Sequence, residues 1–178
     1  MNLLLVGATM AAKQTPQVPP AERVQTSYKQ LSLAATSLNT ASDELAEAMS
    51  VLDFALQKLN LGVSAWVQLS GNADEDGEWW SRNIGYTKIG DKWGIALKTA
   101  SGDFKYGEER DSEEKWLFND APRWMRVDAV GKIPDLLEAL LKQAEDTTKK
   151  IKARTEQVYE LAVAMSKVVD EAQPAEQK

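Results

Sequence analysis

Residues 24–59 read VQTSYKQLSLAATSLNTASDELAEAMSVLDFALQKL, and the spacing of apolar residues within this stretch decides the fold. Val24, Leu31, Leu38, Leu45, Leu52 and Leu59 recur every seven residues, and Tyr28, Ala35, Ser42, Met49 and Leu56 form a second ladder between them. These are the d and a positions of a sustained heptad repeat. Such a repeat keeps one seam toward a partner when the helices supercoil left-handedly, so the spacing predicts a coiled-coil helix over 22–60. Ala34, Ala41, Ala48 and Ala55 repeat at g and widen the stripe with side chains too small to hold a neighbour off.

A second helix is expected over 134–170. Pro134 sits near its first turn, where a missing N–H costs nothing, and Asp135 suits the positive end of the macrodipole. Its seam reads Leu137, Leu140, Ala144, Thr147, Ile151, Arg154, Val158, Leu161, Met165 and Val168, with the two polar members in the middle either tolerated near a surface or fixing register. At 1.5 Å per residue each helix would be about 54 Å long. Equal lengths on either side of one insertion suggest an antiparallel pair. The stripe is broader than one partner covers, which points to a homodimeric four-helix bundle with Leu31, Leu38, Leu45, Leu52, Ala41 and Ala48 in its interface. Coverage of the surplus by the inserted sheet is the simpler alternative.

Between Gly62 and Phe118 the period falls to two. Val63, Ala65, Val67 and Leu69 alternate with Ser64, Trp66 and Gln68, and Trp80, Arg82, Ile84, Tyr86 and Lys88 continue the pattern, as strands with one buried face do. Gly90 and Asp91 form a two-residue connection into Lys92–Leu97, the signature of a tight hairpin. Ser101, Gly102 and Asp103 read as a further turn leading into Phe104, Lys105 and Tyr106, and Lys115–Phe118 as a last strand. The expectation is an α+β fold in which two long antiparallel coiled-coil helices flank an antiparallel β-sheet of three to five strands over 62–118. A short helix over 121–130, ended by Gly131, places Trp124 and Val127 on one side. This helix, sheet, helix order resembles that of the prefoldin chaperones; the resemblance is one of element order alone and implies no function.

All six tryptophans, at 66, 79, 80, 93, 116 and 124, fall outside the two long helices. Large rings fill the gap between a small sheet and helix ends, which accounts for most of them. Adjacent residues of a strand point to opposite faces, so Trp79 and Trp80 cannot both enter one core. That pair, with Arg82, is the candidate partner-binding site.

The chemistry available is narrow. The 178-residue chain contains no cysteine and no histidine, so thiolate nucleophiles, disulfides and imidazole-based catalytic systems cannot be built. Neither Gly-rich phosphate-binding pattern occurs, and no cofactor is expected. Lys and Arg number 21 against 27 Asp and Glu; a charge of −6 opposes binding to a phosphate backbone, so no nucleic-acid partner is expected. Asn72, Asp74 and Asp76 match the first half of a calcium loop, but its twelfth position is Asn83 in place of a bidentate Glu, and the pattern suits a solvated hairpin loop better. Glu108, Glu109, Asp111, Glu113 and Glu114 form a second acidic run, read as a solvated loop.

The apolar run Leu3–Val6 is too short to span a membrane and has no basic flank, so the chain is read as cytoplasmic, with no membrane partner. Residues 1–21, with Pro16, Pro19 and Pro20, are expected to be a flexible segment, 22–170 a single domain, and 171–178 a disordered tail. The functional expectation is a non-enzymatic oligomeric interaction or scaffold protein that binds a protein partner. A chaperone-like or inhibitory binder is the first alternative, and a small-ligand or calcium-binding module or an enzyme using the acidic loops is the second.

Overall fold

The computed structural model describes residues 19–172 except residue 76 and residues 105–110. Its elements are α1 (Pro20–Lys58), β1 (Ala65–Ala73), β2 (Glu78–Ile89), β3 (Lys92–Asp103), β4 (Ser112–Leu117), a 3-10 turn (Phe118–Asp120), α2 (Arg123–Val130) and α3 (Ile133–Ala172). The expected α+β class holds, with a sheet of four strands. The chain forms two compact units that divide within α1, between Asp43 and Glu44.

From Pro20 onward the described part of the first unit is helix. Its heptad residues lie open to solvent: Val24 is 67% exposed, Leu31 66% and Leu38 53%. Helix α1 runs on to Lys58, and Asn60 then takes a φ of 47°, the left-handed conformation that lets a chain leave a helix.

In the second unit the strands follow one another as an antiparallel meander, β1-β2-β3-β4. Register explains which residues reach the core. Val67 pairs with Ile84, Ile84 with Leu97, and Leu97 with Trp116, so these four side chains form one row across a single face. Tyr86 and Ile95 make the next row, and against both pack Met49 and Leu56 of α1, Met125 and Ala129 of α2, and Leu136 and Leu140 of α3. Ile84, Leu97, Met125 and Leu136 are fully buried. Each such side chain stabilises the fold by about 1.5–3 kcal/mol over an exposed one. The a positions Met49 and Leu56 thus enter the chain's own core, as the simpler alternative anticipated, while Leu52 at d stays outside.

Three expectations are corrected. Ser101, Gly102 and Asp103 do not turn the chain; β3 continues through them, paired with Trp80, Trp79 and Glu78. Glu113 and Glu114 lie in β4, opposite Ala100 and Thr99, and are not part of a loop. The face α3 gives to the core is Ile133, Leu136, Leu140 and Ala144, with Leu137 44% exposed, so the seam is shifted by one residue at its start. The expected strand at Lys105 and Tyr106, together with Glu108 and Glu109, lies outside the described residues, and Phe104 is a turn residue. The Gly90–Asp91 hairpin is present, with Gly90 at φ 58° supplying the left-handed backbone that a two-residue connection needs.

β4 pairs β3 only from Ala96 to Ser101, leaving the first residues of β3 without a strand on that side. Side chains of α1 occupy the place. The Ile95 amide donates to Asp53 Oδ1 at 2.7 Å, and Gln57 Nε2 donates to the Trp93 carbonyl at 2.9 Å and to Asp53 Oδ2 at 3.1 Å. Burial pushes the Asp53 carboxyl above its ordinary value, partly offset by the bonds from Ile95 and Gln57. A carboxyl whose folded pKa is raised contributes stability that is complete below its unfolded pKa and lost as pH rises through the folded one. Asp53→Asn keeps an acceptor for Ile95 and removes the titration. Its melting temperature relative to the parent protein is therefore expected to rise from acidic to neutral pH, measured by thermal melts across that range; a difference that is flat with pH would refute the assignment.

Candidate protein-interaction site

Strand β2 places Trp79 and Trp80 on opposite faces, and the two faces use their tryptophans differently. Trp79 lies opposite Gly102, whose missing side chain makes room for the indole: a Cβ there would stand 2.8 Å from Trp79 Nε1. Trp66 does the same over Gly85, where a Cβ would be 2.3 Å from the ring. Both are glycine–aromatic cross-strand pairs on the face away from the core. Lys98 Nζ stands 4.8 Å from the Trp66 ring and pairs with Glu113 at 3.2 Å, and Phe104 stacks on Trp79 at 6.2 Å. A hydrogen bond from Lys115, opposed by burial and aided by Lys98, holds the Glu113 carboxyl below its ordinary value. On the core face Trp93 stacks on Tyr86 at 5.6 Å, and Trp116 packs against the core edge. Ring filling therefore accounts for four of the tryptophans in ways readable from their neighbours.

Trp80 and Trp124 are different. They are 40% and 48% exposed, and the Arg82 guanidinium lies between them, 4.8 Å from the Trp80 ring and 4.5 Å from that of Trp124. Strand alternation sets Trp80 and Arg82 on the core face, two and one steps beyond Ile84, where helix cover runs out. Helix α2 buries Met125 and Ala129, which leaves its neighbour Trp124 at the margin and able to close over the arginine. Each cation–π contact is worth about 0.5–1 kcal/mol at such exposure. The more useful effect is preorganisation: a guanidinium clamped between two rings loses less freedom when it meets a partner. No carboxylate among the described residues forms a salt bridge with Arg82. Sequence reasoning paired Arg82 with Trp79 and Trp80; the structure separates Trp79 onto the other face and brings in Trp124, whose role no local pattern signals.

The remaining candidates fall as follows. Asn72 lies in β1 opposite Trp80. Asp74 Oδ1 accepts the Glu78 amide at 2.9 Å while the Asp74 amide donates to the Glu78 carbonyl at 2.9 Å, so this carboxylate clamps the β1–β2 loop. Asp76 lies outside the described residues. Among the described residues no group of three or more acidic, histidine or cysteine side chains is placed to hold a metal ion. Of the proposed oligomerisation residues, Leu31, Leu38, Ala41, Ala48 and Leu52 are exposed, and Leu45 is half-buried against the core. On α3, Ile151, Val158, Leu161, Met165 and Val168 are all more than 60% exposed. No described helix is long and apolar enough to cross a membrane. Comparison with protein-family models, with characterised proteins and with solved structures gives no match to this chain.

Proposed function

We propose that this chain is a non-enzymatic interaction protein that self-associates through the heptad faces of α1 and α3 and presents Trp80, Arg82 and Trp124 to a protein partner. The observation that carries the reading is the uncovered ladder itself. Leu31, Leu38 and Leu52 on α1 and Val158, Leu161 and Met165 on α3 repeat at coiled-coil spacing and remain at least 41% exposed. Apolar surface of that extent and regularity is costly in water, and contiguous patches of this kind mark association sites. A second copy is the natural occupant, since each copy brings the same two stripes and a two-fold axis matches them. Light scattering coupled to size-exclusion chromatography is expected to give a dimer, twice the 19.7 kDa of one chain. A single-chain mass would overturn self-association and favour a chaperone-like protein whose open faces hold client segments.

The partner surface has its own test. Trp80 and Trp124 together with Arg82 form the residue types that dominate binding hot spots. The double variant Trp80→Ala, Arg82→Ala is expected to lose about 2 kcal/mol or more of partner affinity, roughly thirtyfold, while its melting temperature falls only slightly. Partners purified with the parent protein, titrated against both forms, make the comparison; undiminished affinity would remove this face from the proposal.

A further inference from the structure

A cleft of about 560 Å³ opens between the end of α1 and the β2–β3 hairpin, bordered by Asp53, Gln57, Leu61, Tyr86, Lys92 and Trp93 among others. It lies within the second unit and is distinct from the Trp80–Arg82–Trp124 surface. Three features of its wall are unusual together. Asp53 is a half-buried carboxylate with no ion pair among the described residues; its two bonds, from the Ile95 amide and Gln57 Nε2, use one lone pair on each oxygen and leave acceptor capacity. Tyr86 packs its ring into the core, 2% exposed as a residue, and borders the cleft, where its hydroxyl is available to a ligand. Trp93 stacks on the Tyr86 ring, giving the cleft an aromatic wall.

A partly desolvated carboxylate is costly, and the cost is relieved by a ligand that donates hydrogen bonds and carries positive charge, with the Tyr86 hydroxyl as a further acceptor bordering the same cleft. The aromatic wall favours the same charge. Gln57 spends its amide N–H groups on Trp93 and Asp53, which leaves its Oε1 as a third acceptor among the residues that line the cleft. Three acceptors suit the three N–H donors of an ammonium group. Asp91 on the rim competes weakly, because its carboxylate is fully exposed and screened by water. Lys92 also borders the cleft and is exposed, and its long flexible stem lets its own ammonium stay in water. We infer that this cleft is a binding site for an alkylammonium group, held by Asp53, Gln57 and Tyr86 and packed along Trp93.

The test is a titration of the full chain with n-butylammonium, followed by amide and indole NMR resonances. The Ile95 amide is hydrogen-bonded to Asp53 and so reports on that carboxylate directly. Saturable shifts of the Ile95 amide and the Trp93 indole are expected with n-butylammonium and not with n-butanol, its neutral counterpart. Asp53→Asn, which preserves the Ile95 acceptor, should weaken binding by about tenfold to a hundredfold, the range for a hydrogen bond to a charged group. Tyr86→Phe, which keeps the stacked ring, should weaken it several-fold by the same reasoning. A parallel titration with Nα-acetyl-lysine methylamide separates two sources: tighter binding than n-butylammonium identifies a lysine side chain of a protein, and weaker binding a free amine. Equal responses to n-butylammonium and n-butanol, or unchanged affinity in a folded Asp53→Asn protein, would overturn the assignment.

Discussion

Aspartate at both Leu31 and Leu38 is expected to reduce the protein from the proposed dimer to a single chain of 19.7 kDa in light scattering. In a two-fold assembly each substitution occurs twice, so four leucine side chains lose their burial. At about 1.5–3 kcal/mol for a full burial, scaled by the fraction of each side chain exposed in one chain, the loss is about 4–7 kcal/mol, or some thousandfold or more in the dissociation constant, before any cost of confining the new charges. The two leucines are 66% and 53% exposed within one chain, and neither belongs to the hydrophobic core of the second unit. Because every tryptophan lies between residues 66 and 124, the tryptophan bands of the near-ultraviolet circular dichroism report on the second unit and should be unchanged. A variant that kept the dimer mass would show that the α1 stripe is not the self-association surface.

Leu97→Ala is expected to act in the opposite way, leaving the mass unaltered and lowering stability by about 2–5 kcal/mol. Leu97 is fully buried in the row Val67–Ile84–Leu97–Trp116, with strands on both sides and helices above, so little can move into the space it vacates. For a chain of this size each kcal/mol corresponds to about 2–4 °C, which predicts a fall in melting temperature of roughly 5–20 °C. A fall of only a degree or two would mean that the core relaxes around the site. Together the two variants separate what holds the chain folded from what holds copies together.

The helices and the sheet were legible because their signals are local and repeated. The heptads of α1 and the alternation of Trp80, Arg82, Ile84 and Tyr86 depend only on spacing, and Gly90–Asp91 states its own turn. Errors arose where a residue answers to a distant neighbour. Ser101–Gly102–Asp103 has turn composition, but Gly102 is required by the Trp79 indole across the strand pair and stays extended. The start of α3 was read in phase with its distal seam; the sheet selects Leu136 instead of Leu137, because a 3.6-residue helix presents a slightly different face to a flat layer than to a supercoiled partner. Two members of the Trp80, Arg82, Trp124 cluster were visible as an exposed aromatic beside an arginine. Its third member comes from an element more than forty residues away in sequence and could only be placed by folding. Asp53 occupies an unremarkable heptad position, and nothing near it in sequence signals either Ile95 or the cleft.

The side chains of Asp53 and Gln57 that meet the early residues of β3 also bear on how copies of this chain avoid one another. A strand with free amide and carbonyl groups along one side is a template onto which any extended segment can add, and repeated addition leads to sheet-to-sheet polymers. Helix α1 fills that template with groups that end the hydrogen-bonding pattern instead of propagating it. The proposed self-association through the helices differs in this respect, because it would stop once the stripes are covered.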